Sequence, residues 1–258
     1  MQPTTPASSK NEGVVHLPHA PLPSYYASGD LEARNRFLRT TFDDTAVDYN
    51  RIERILGLGT GSRYRRMALQ RAGLKPGMQV VDLGMGTGLV SQEILRITQE
   101  PGRLVGVDPS AGMMAQARLP AEVSCRIGRA EEIPVPKESV DFLVMGYALR
   151  HIDDFSVACA EFRRVLKPGG RLLILEITRP SGRVATALLK AYMRGAAPLV
   201  ARFVSKAPAT PMLWRYYWDT IDACVAPPQV LAALEASGLR EVKRHVEVGI
   251  FSEYTARG

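Results

Sequence analysis

Cysteine is scarce: three residues, Cys125, Cys159 and Cys224, in a chain of 258, with no CxxC pair among them. That spacing excludes a disulfide scaffold and thiolate metal clusters, and it suits a reducing compartment. Long apolar runs are missing as well. No stretch approaches the roughly 20 residues that cross a bilayer, because the greasiest segments are broken by Arg or Lys. The first 30 residues hold five prolines (Pro3, Pro6, Pro18, Pro21 and Pro23) among Ser, Thr and Ala. They lack the apolar centre of a secretory signal and read as a mobile arm, residues 1–30. Glycine, at 22 residues, has no three-residue period, which excludes a collagen-like chain.

What is present is an ordinary globular composition, 46% hydrophobic and 23% charged, enough for one large domain or two small ones. The net charge of +7 raises nucleic acid, anionic lipid or an anionic small molecule as partners, so its distribution matters. The block 76–178 carries 11 basic and 13 acidic side chains, whereas 179–225 carries 7 and 2 and residues 1–75 carry 11 and 7. The centre is a near-neutral scaffold, and the surplus sits on an N-terminal segment and an insert.

Between Leu31 and Met67 apolar residues recur at helical spacing, interrupted at Gly57-Leu58-Gly59-Thr60-Gly61, and a second helix is expected from Tyr64 to Ala72. Strands and helices then alternate. Strands are expected at 79–83, 103–108, 122–127, 140–145 and 171–178, the last after the Lys167-Pro168-Gly169-Gly170 turn. Helices are expected at 89–99, from an N-cap at Ser110 to Ala117, and at 155–166. After the insert come a helix from Pro228 to Ser237 and two adjacent strands, 241–246 and 248–254, whose short connection predicts an antiparallel pair. This order predicts an α/β fold, a doubly wound and mostly parallel seven-stranded sheet with an antiparallel last strand. A helical cover over 31–72 and a lid insert over 179–225 complete a single domain, 31–258.

The chemistry concentrates after the first strand, in Val80-Val81-Asp82-Leu83-Gly84-Met85-Gly86-Thr87-Gly88. Glycines there let the backbone approach a ligand and open a helix. The spacing is GxGxG, whereas dinucleotide binding asks for GxGxxG. Asp108 ends the second strand, 20 residues past Gly88, where a carboxylate can accept both hydroxyls of a ribose. Asp82 adds a second carboxylate. The pair suits a cofactor with a cationic amino group and no phosphate, S-adenosylmethionine rather than a nicotinamide dinucleotide.

Further runs carry a resemblance: Phe42 through Tyr49-Asn50, Gly128-Arg129-Ala130-Glu131-Glu132-Ile133-Pro134, Met145-Gly146-Tyr147-Ala148-Leu149-Arg150-His151-Ile152, and Arg164-Val165-Leu166-Lys167-Pro168-Gly169-Gly170-Arg171 continuing into Leu175-Glu176. With these and the glycine turn, the chain from about Thr41 onward resembles the class I S-adenosylmethionine-dependent methyltransferases, a Rossmann-like fold. More narrowly it resembles the ubiquinone/menaquinone biosynthesis C-methyltransferase family. The resemblance implies that Gly84, Gly86 and Thr87, with Gly88 beside them, contact the methionine part of the cofactor. It further implies Asp108 on the ribose, Arg129 and Ala130 at the adenine edge, Met113 in the cofactor site, Gly146 at the methionyl end, and Tyr49 over the sulfonium, where a cation is attracted to a π face. The chain departs from the family pattern at Met85, Tyr64, His151 and its C-terminus.

Removing a proton from a phenolic acceptor makes its oxygen and ortho carbon nucleophilic, so a base near neutrality is useful. His151, at the end of the fourth strand, is the candidate base, and Arg150 is a candidate to hold a phenolate bidentately. A histidine that only begins a helix remains the alternative. Asp153 and Asp154 are expected to cap the next helix, and no metal is expected.

In the insert, Val184, Leu188, Leu189, Tyr192, Met193, Leu199, Val200 and Phe203 form an apolar stripe beside Arg183, Lys190, Arg194 and Arg202. Such a stripe caps a pocket or lies on anionic lipid. Trp214, Tyr217 and Trp218, together with Tyr147, are expected to wall the pocket of a flat, greasy acceptor. The expected activity is methylation, at carbon, of a quinol or related aromatic lipid. Methylation at O, C or N of a soluble secondary metabolite or a phospholipid head group, or cofactor binding without catalysis, stays open. No nucleic-acid partner is expected, since the basic residues of the insert are interleaved with aliphatics. The expected location is cytoplasmic, with peripheral contact to an anionic membrane through the insert, and the oligomeric state stays open.

Overall fold

The computed structural model describes residues 22, 24–26, 30–57 and 59–258. Helix α1 (Leu31–Leu56) begins at Asp30, whose carboxylate accepts the Ala33 N–H at 2.8 Å, and stops at Gly57, whose N–H closes on the Glu53 carbonyl at 2.8 Å. Helix α2 (Gly61–Arg71) starts three residues earlier than Tyr64, because the Tyr64 N–H already finds the Thr60 carbonyl at 3.0 Å. Of the expected arm, only its end is described, and that part is docked. Tyr25 packs edge-on against Tyr216, and its hydroxyl donates to Asp219 at 2.7 Å, so these residues are not free. The rest of the arm lies outside the described residues.

The alternating block forms β1 (Val80–Leu83), α3 (Leu89–Thr98), β2 (Leu104–Asp108), α4 (Ala111–Ala115), β3 (Ser124–Ile127), β4 (Val140–Gly146), α5 (Phe155–Val165) and β5 (Leu166–Ile177). Ser110 caps α4 as its sequence position implies, its hydroxyl accepting the Met113 N–H at 3.0 Å. The chain closes with α9 (Pro227–Ala236), β6 (Arg240–Glu247) and β7 (Phe251–Arg257). The seven strands lie in the order β3-β2-β1-β4-β5-β7-β6. β1 to β5 are parallel, and β7 inserts antiparallel to both neighbours. The strand expected from Arg171 begins at Leu166 instead. Val140 faces Leu166 and Phe142 faces Arg171 across a register shift, and the intervening Gly169 and Gly170 exchange backbone hydrogen bonds with Gly258, so the turn is absorbed as a bulge.

The pleat sorts the core. Val80, Phe142, Val144, Leu173 and Leu175 point to one face with Ala68, Leu69 and Ile94, while Val81, Leu83, Leu143, Met145 and Ile174 point to the other with Phe155, Phe162, Val230 and Leu234. Near-continuous apolar runs are what a parallel sheet covered on both faces requires. Above one end of the sheet lies the insert: α6 (Arg183–Ala191), a π-helical turn (Tyr192–Ala196), α7 (Ala197–Val204) and α8 (Thr210–Ala223). It forms a third apolar cluster with Leu38 of α1. Buried Asp48 of α1 fastens it, accepting the N–H groups of Lys206 at 2.7 Å and Ala207 at 2.6 Å. No helix among the described residues is long and apolar enough to cross a membrane.

Phe162 is fully buried between the sheet and Phe155. Phe162→Ala is expected to cost about 3–5 kcal/mol, read as a lower urea midpoint with an unchanged slope.

Candidate active site

In an open parallel sheet, ligands collect where the strand order reverses, outside the carboxyl ends of the strands. Here that point lies between β1 and β4, and a cavity of about 1130 Å³ opens there. The loop leaving β1 is forced into shape by its neighbours. Gly84, Gly86 and Gly88 have φ of 69°, 53° and 78°, and a Cβ on Gly84 would stand 2.7 Å from the Ala148 Cβ. The Gly84 and Met85 N–H groups donate to the Val107 carbonyl at 2.7 and 3.1 Å, folding the turn back over β2.

Asp108 is anchored by the same turn. Its two carboxylate oxygens accept the N–H groups of Gly86 and Ser110, each at 2.8 Å. Burial pushes its carboxyl up to about 6, opposed by those two N–H groups and assisted by the Asp43 charge. Helix α1 closes over this end: the Thr87 hydroxyl meets the Asn50 side chain, and Asp43 accepts from the Ser110 hydroxyl and from the Gly112 N–H at 2.9 Å. Tyr49, Gly84, Gly86, Thr87, Asp108, Met113, Arg129, Ala130 and Gly146 all line the cavity.

Two expected cofactor ligands stand behind that wall. Asp82 is fully buried, and one of its oxygens accepts from the Ser91 hydroxyl of α3 at 2.6 Å. It braces the turn rather than facing the cavity. Burial pushes its carboxyl up to about 7, against the Ser91 hydrogen bond. Gly88 likewise lies off the wall, serving in the left-handed conformation as the residue that opens α3.

At the other end His151, in the single turn Leu149–His151 that follows β4, lines the cavity. Its ring stacks on Tyr216 with centroids 5.7 Å apart, meets the edge of Phe42 at 5.3 Å, and has Nδ1 3.4 Å from the Tyr216 hydroxyl. Arg150, the candidate to hold a phenolate, also lines the cavity. Arg150 is buried, ion-paired with buried Glu176 of β5, and lies 5.1 Å over the Tyr217 ring. It holds the wall in place. Asp154 does cap α5, accepting the Ser156 N–H at 2.9 Å, but Asp153 does not. It gathers Arg34, Asn35 and Arg129 instead, so Arg129 reaches the cavity while tied by an ion pair.

Tyr147, Trp214 and Tyr217 line the acceptor end, whereas Trp218 does not. At 2% exposure it is packed among Leu38, Tyr216 and Ile221, one residue and so a step of about 100° round α8 from the cavity-lining Tyr217. The insert's stripe is divided in the same way. Leu189, Tyr192 and Met193 face the cavity, while Val184, Leu188, Leu199 and Phe203 stand in solvent. Lining residues that sequence reasoning missed include Glu53 and Arg65, ion-paired at 2.8 Å, and the β6–β7 tip from Glu247 to Phe251. Nothing local marks the tip; Glu53 and Arg65 are 12 residues apart and only the α1–α2 turn joins them. Among the described residues His245, Glu247 and Glu253 gather ligand atoms within 4.8 Å of one another. Arg71 already supplies that cluster with a cation, pairing with Glu253 and Glu247.

The donor set fits S-adenosylmethionine. A glycine turn that a Cβ would block, an anchored carboxylate at the end of β2, and aromatic rings from α1 and α8 meet in one cavity. The sequence model of the ubiE/COQ5 methyltransferase family matches residues 31–256. The ubiquinone/menaquinone biosynthesis C-methyltransferase UbiE of Syntrophotalea carbinolica is 33% identical over 223 residues, covering 84% of this chain and 92% of that protein. The demethylmenaquinone methyltransferase of Corynebacterium glutamicum (strain R) is 31% identical over 212 residues, 82% of this chain and 89% of that one. Among solved structures, a SAM dependent methyltransferase from Aquifex aeolicus aligns with a TM-score of 0.55 at 23% identity, over 80% of this chain and 97% of that one. Phosphoethanolamine N-methyltransferase 2 of Haemonchus contortus, bound to S-adenosyl-L-methionine, aligns with a TM-score of 0.59 at 21% identity, over 82% and 45%. At these identities the two structures speak to the fold.

The Asp82 carboxyl gives the free protein a pH signature. Between the ordinary value of 3.8 and about 7, the unfolded chain has released this proton and the folded chain keeps it, so this group lowers stability as pH rises. Asp82→Asn removes that slope. Urea midpoints measured from pH 4 to pH 8 should favour the variant increasingly toward high pH; parallel profiles would mean that Asp82 is ionised in the fold.

Proposed function

Since the chain belongs to the ubiE/COQ5 methyltransferase family and is an S-adenosylmethionine-dependent methyltransferase, we propose that it methylates a ring carbon of a quinol carried on an aromatic lipid. One observation carries this reading: the glycine turn, the His151 turn and an aromatic and aliphatic wall share a single continuous cavity. The two relatives compared above are named for quinone-pathway methylation, which supports the same acceptor class.

The bound cofactor supplies a methyl group on a cationic sulfur. Gly84, Gly86 and Thr87 would hold its amino-acid end, Asp108 its ribose, and Arg129 and Ala130 the edge of its adenine. Tyr49, half-buried on α1, closes the cavity from above. Displacement at a methyl group needs alignment and exclusion of water more than acid chemistry, and Phe42, Tyr147, Trp214 and Tyr217 supply an apolar wall for a flat ring. His151 takes the proton from the acceptor hydroxyl, raising electron density at the ortho carbon. Arg150, fixed by Glu176, keeps Tyr217 against the ring and is a positioning residue.

The outer face of the insert is the contact with the membrane that stores such an acceptor. Val184, Leu188, Leu199 and Phe203 are 59–79% exposed. Between residues 183 and 204 stand Arg183, Lys190, Arg194 and Arg202 and no acidic residue, the composition of a helix pair that lies on anionic lipid. The inner face of the same segment lines the cavity.

With methyl-labelled S-adenosylmethionine and a lipid extract, label is expected in a quinone fraction; label in RNA, or binding without transfer, would overturn the assignment. His151→Ala should lower kcat about 100-fold while cofactor affinity by calorimetry stays within about twofold; undiminished turnover would remove His151 from the chemistry. Phe203→Asp should abolish co-sedimentation with vesicles containing anionic lipid, and retention equal to the parent protein would refute the membrane face.

A further inference from the structure

The tip of the β6–β7 hairpin carries a residue that suits neither its backbone nor its surroundings. Val248 is 79% exposed and has φ of 52°. A β-branched side chain in the left-handed region is a genuine outlier, and such strain concentrates where a ligand is held. Gly249, at φ of 74°, has the freedom the tip needs without a side chain. Val248 nevertheless lines the cavity that begins at Gly84.

It has company there. Met67 of α2, 40% exposed, lines the same cavity, as do Ile177, Leu189, Ile250 and Phe251. The Phe251 ring lies 4.9 Å from that of Tyr64, closing one side. Arg71 bridges Glu253 and Glu247 at this rim, and Arg63, one turn before Met67 on α2, lines the cavity beside them. At about 1130 Å³ the cavity lies just above the range of about 300–1000 Å³ usual for small-molecule sites.

We infer that α2 and the β6–β7 tip form the outlet for a linear apolar tail on the acceptor, with Val248 and Met67 as the residues that select for it. This rests on the lipid acceptor proposed above and adds where its tail leaves the protein. A tail threaded past both residues covers their exposed surface, and each methylene it buries adds to affinity. Charge placed there must be dehydrated whenever a tail passes.

The test compares a quinol bearing a farnesyl tail with the same quinol lacking it. The ratio of their kcat/KM values should fall at least tenfold in Val248→Asp and in Met67→Asp, chiefly through KM for the tailed acceptor. Val248→Gly, which keeps the turn and loses the side chain, should fall between. Ratios within twofold of the parent protein in both Asp variants would overturn the inference. Farnesol binding with S-adenosylhomocysteine present, followed through tryptophan fluorescence in a Trp218→Phe background that leaves Trp214 as the reporter, separates the two ideas. If neither quinol is methylated but farnesol binds saturably and at least tenfold more weakly to Val248→Asp, the acceptor reading falls and the outlet stands. Equal binding to both proteins, or no saturable binding to the parent, overturns the outlet.

Discussion

The close approach of two backbones, the turn leaving β1 and the segment leaving β4, sets the geometry of everything around it. At Gly84 a single methyl group would collide with Ala148 at 2.7 Å. Because that methyl is absent, the turn can double back onto the Val107 carbonyl, present the Gly86 N–H to Asp108, and leave room above the sheet. α1 then has a surface to close against, through Asn50 on Thr87 and Asp43 on Ser110. A side chain at one position would displace the turn, the carboxylate and the lid in sequence.

Buried charge gives the site its second layer. Arg150 and Glu176 neutralise each other at the base of the acceptor wall, and Arg65 and Glu53 do so where α1 meets α2. Pairs of this kind contribute little net stability against an apolar replacement, whereas losing one partner strands a buried ion. Their value here is positional. Each holds an aromatic or helical wall at a fixed distance from the glycine turn, so that an otherwise greasy cavity has one shape. Asp82 braces the turn from beneath by a different means, as a carboxyl that keeps its proton up to about 7 and is bonded to Ser91 rather than to anything in the cavity.

The insert adds a second wall to the cavity that the cofactor turn opens. Its helices are amphipathic in two directions, one face completing the cavity and the other left in solvent among arginines. Leu188 and Phe203, at 67% and 79% exposure, are the surface on which the proposed membrane contact rests.

The alternation of strands and helices, the turn after β1, the carboxylate that ends β2 and the cap at Ser110 were legible in the local pattern of the chain. Each of these is a local matter: period, glycine and a short polar side chain decide it within one or two turns of chain. Which side chains meet was decided only by the tertiary structure. Arg150 found its partner when β5 brought Glu176 beside it, Trp218 was drawn into the insert's own core while Trp214 and Tyr217 kept the cavity, and Asp153 passed from cap to ion-pair hub when α1 delivered Arg34. The hairpin tip is the extreme case. Residues 248 and 84 share a wall because β7 threads antiparallel between β5 and β6, a consequence of sheet order that no local pattern encodes.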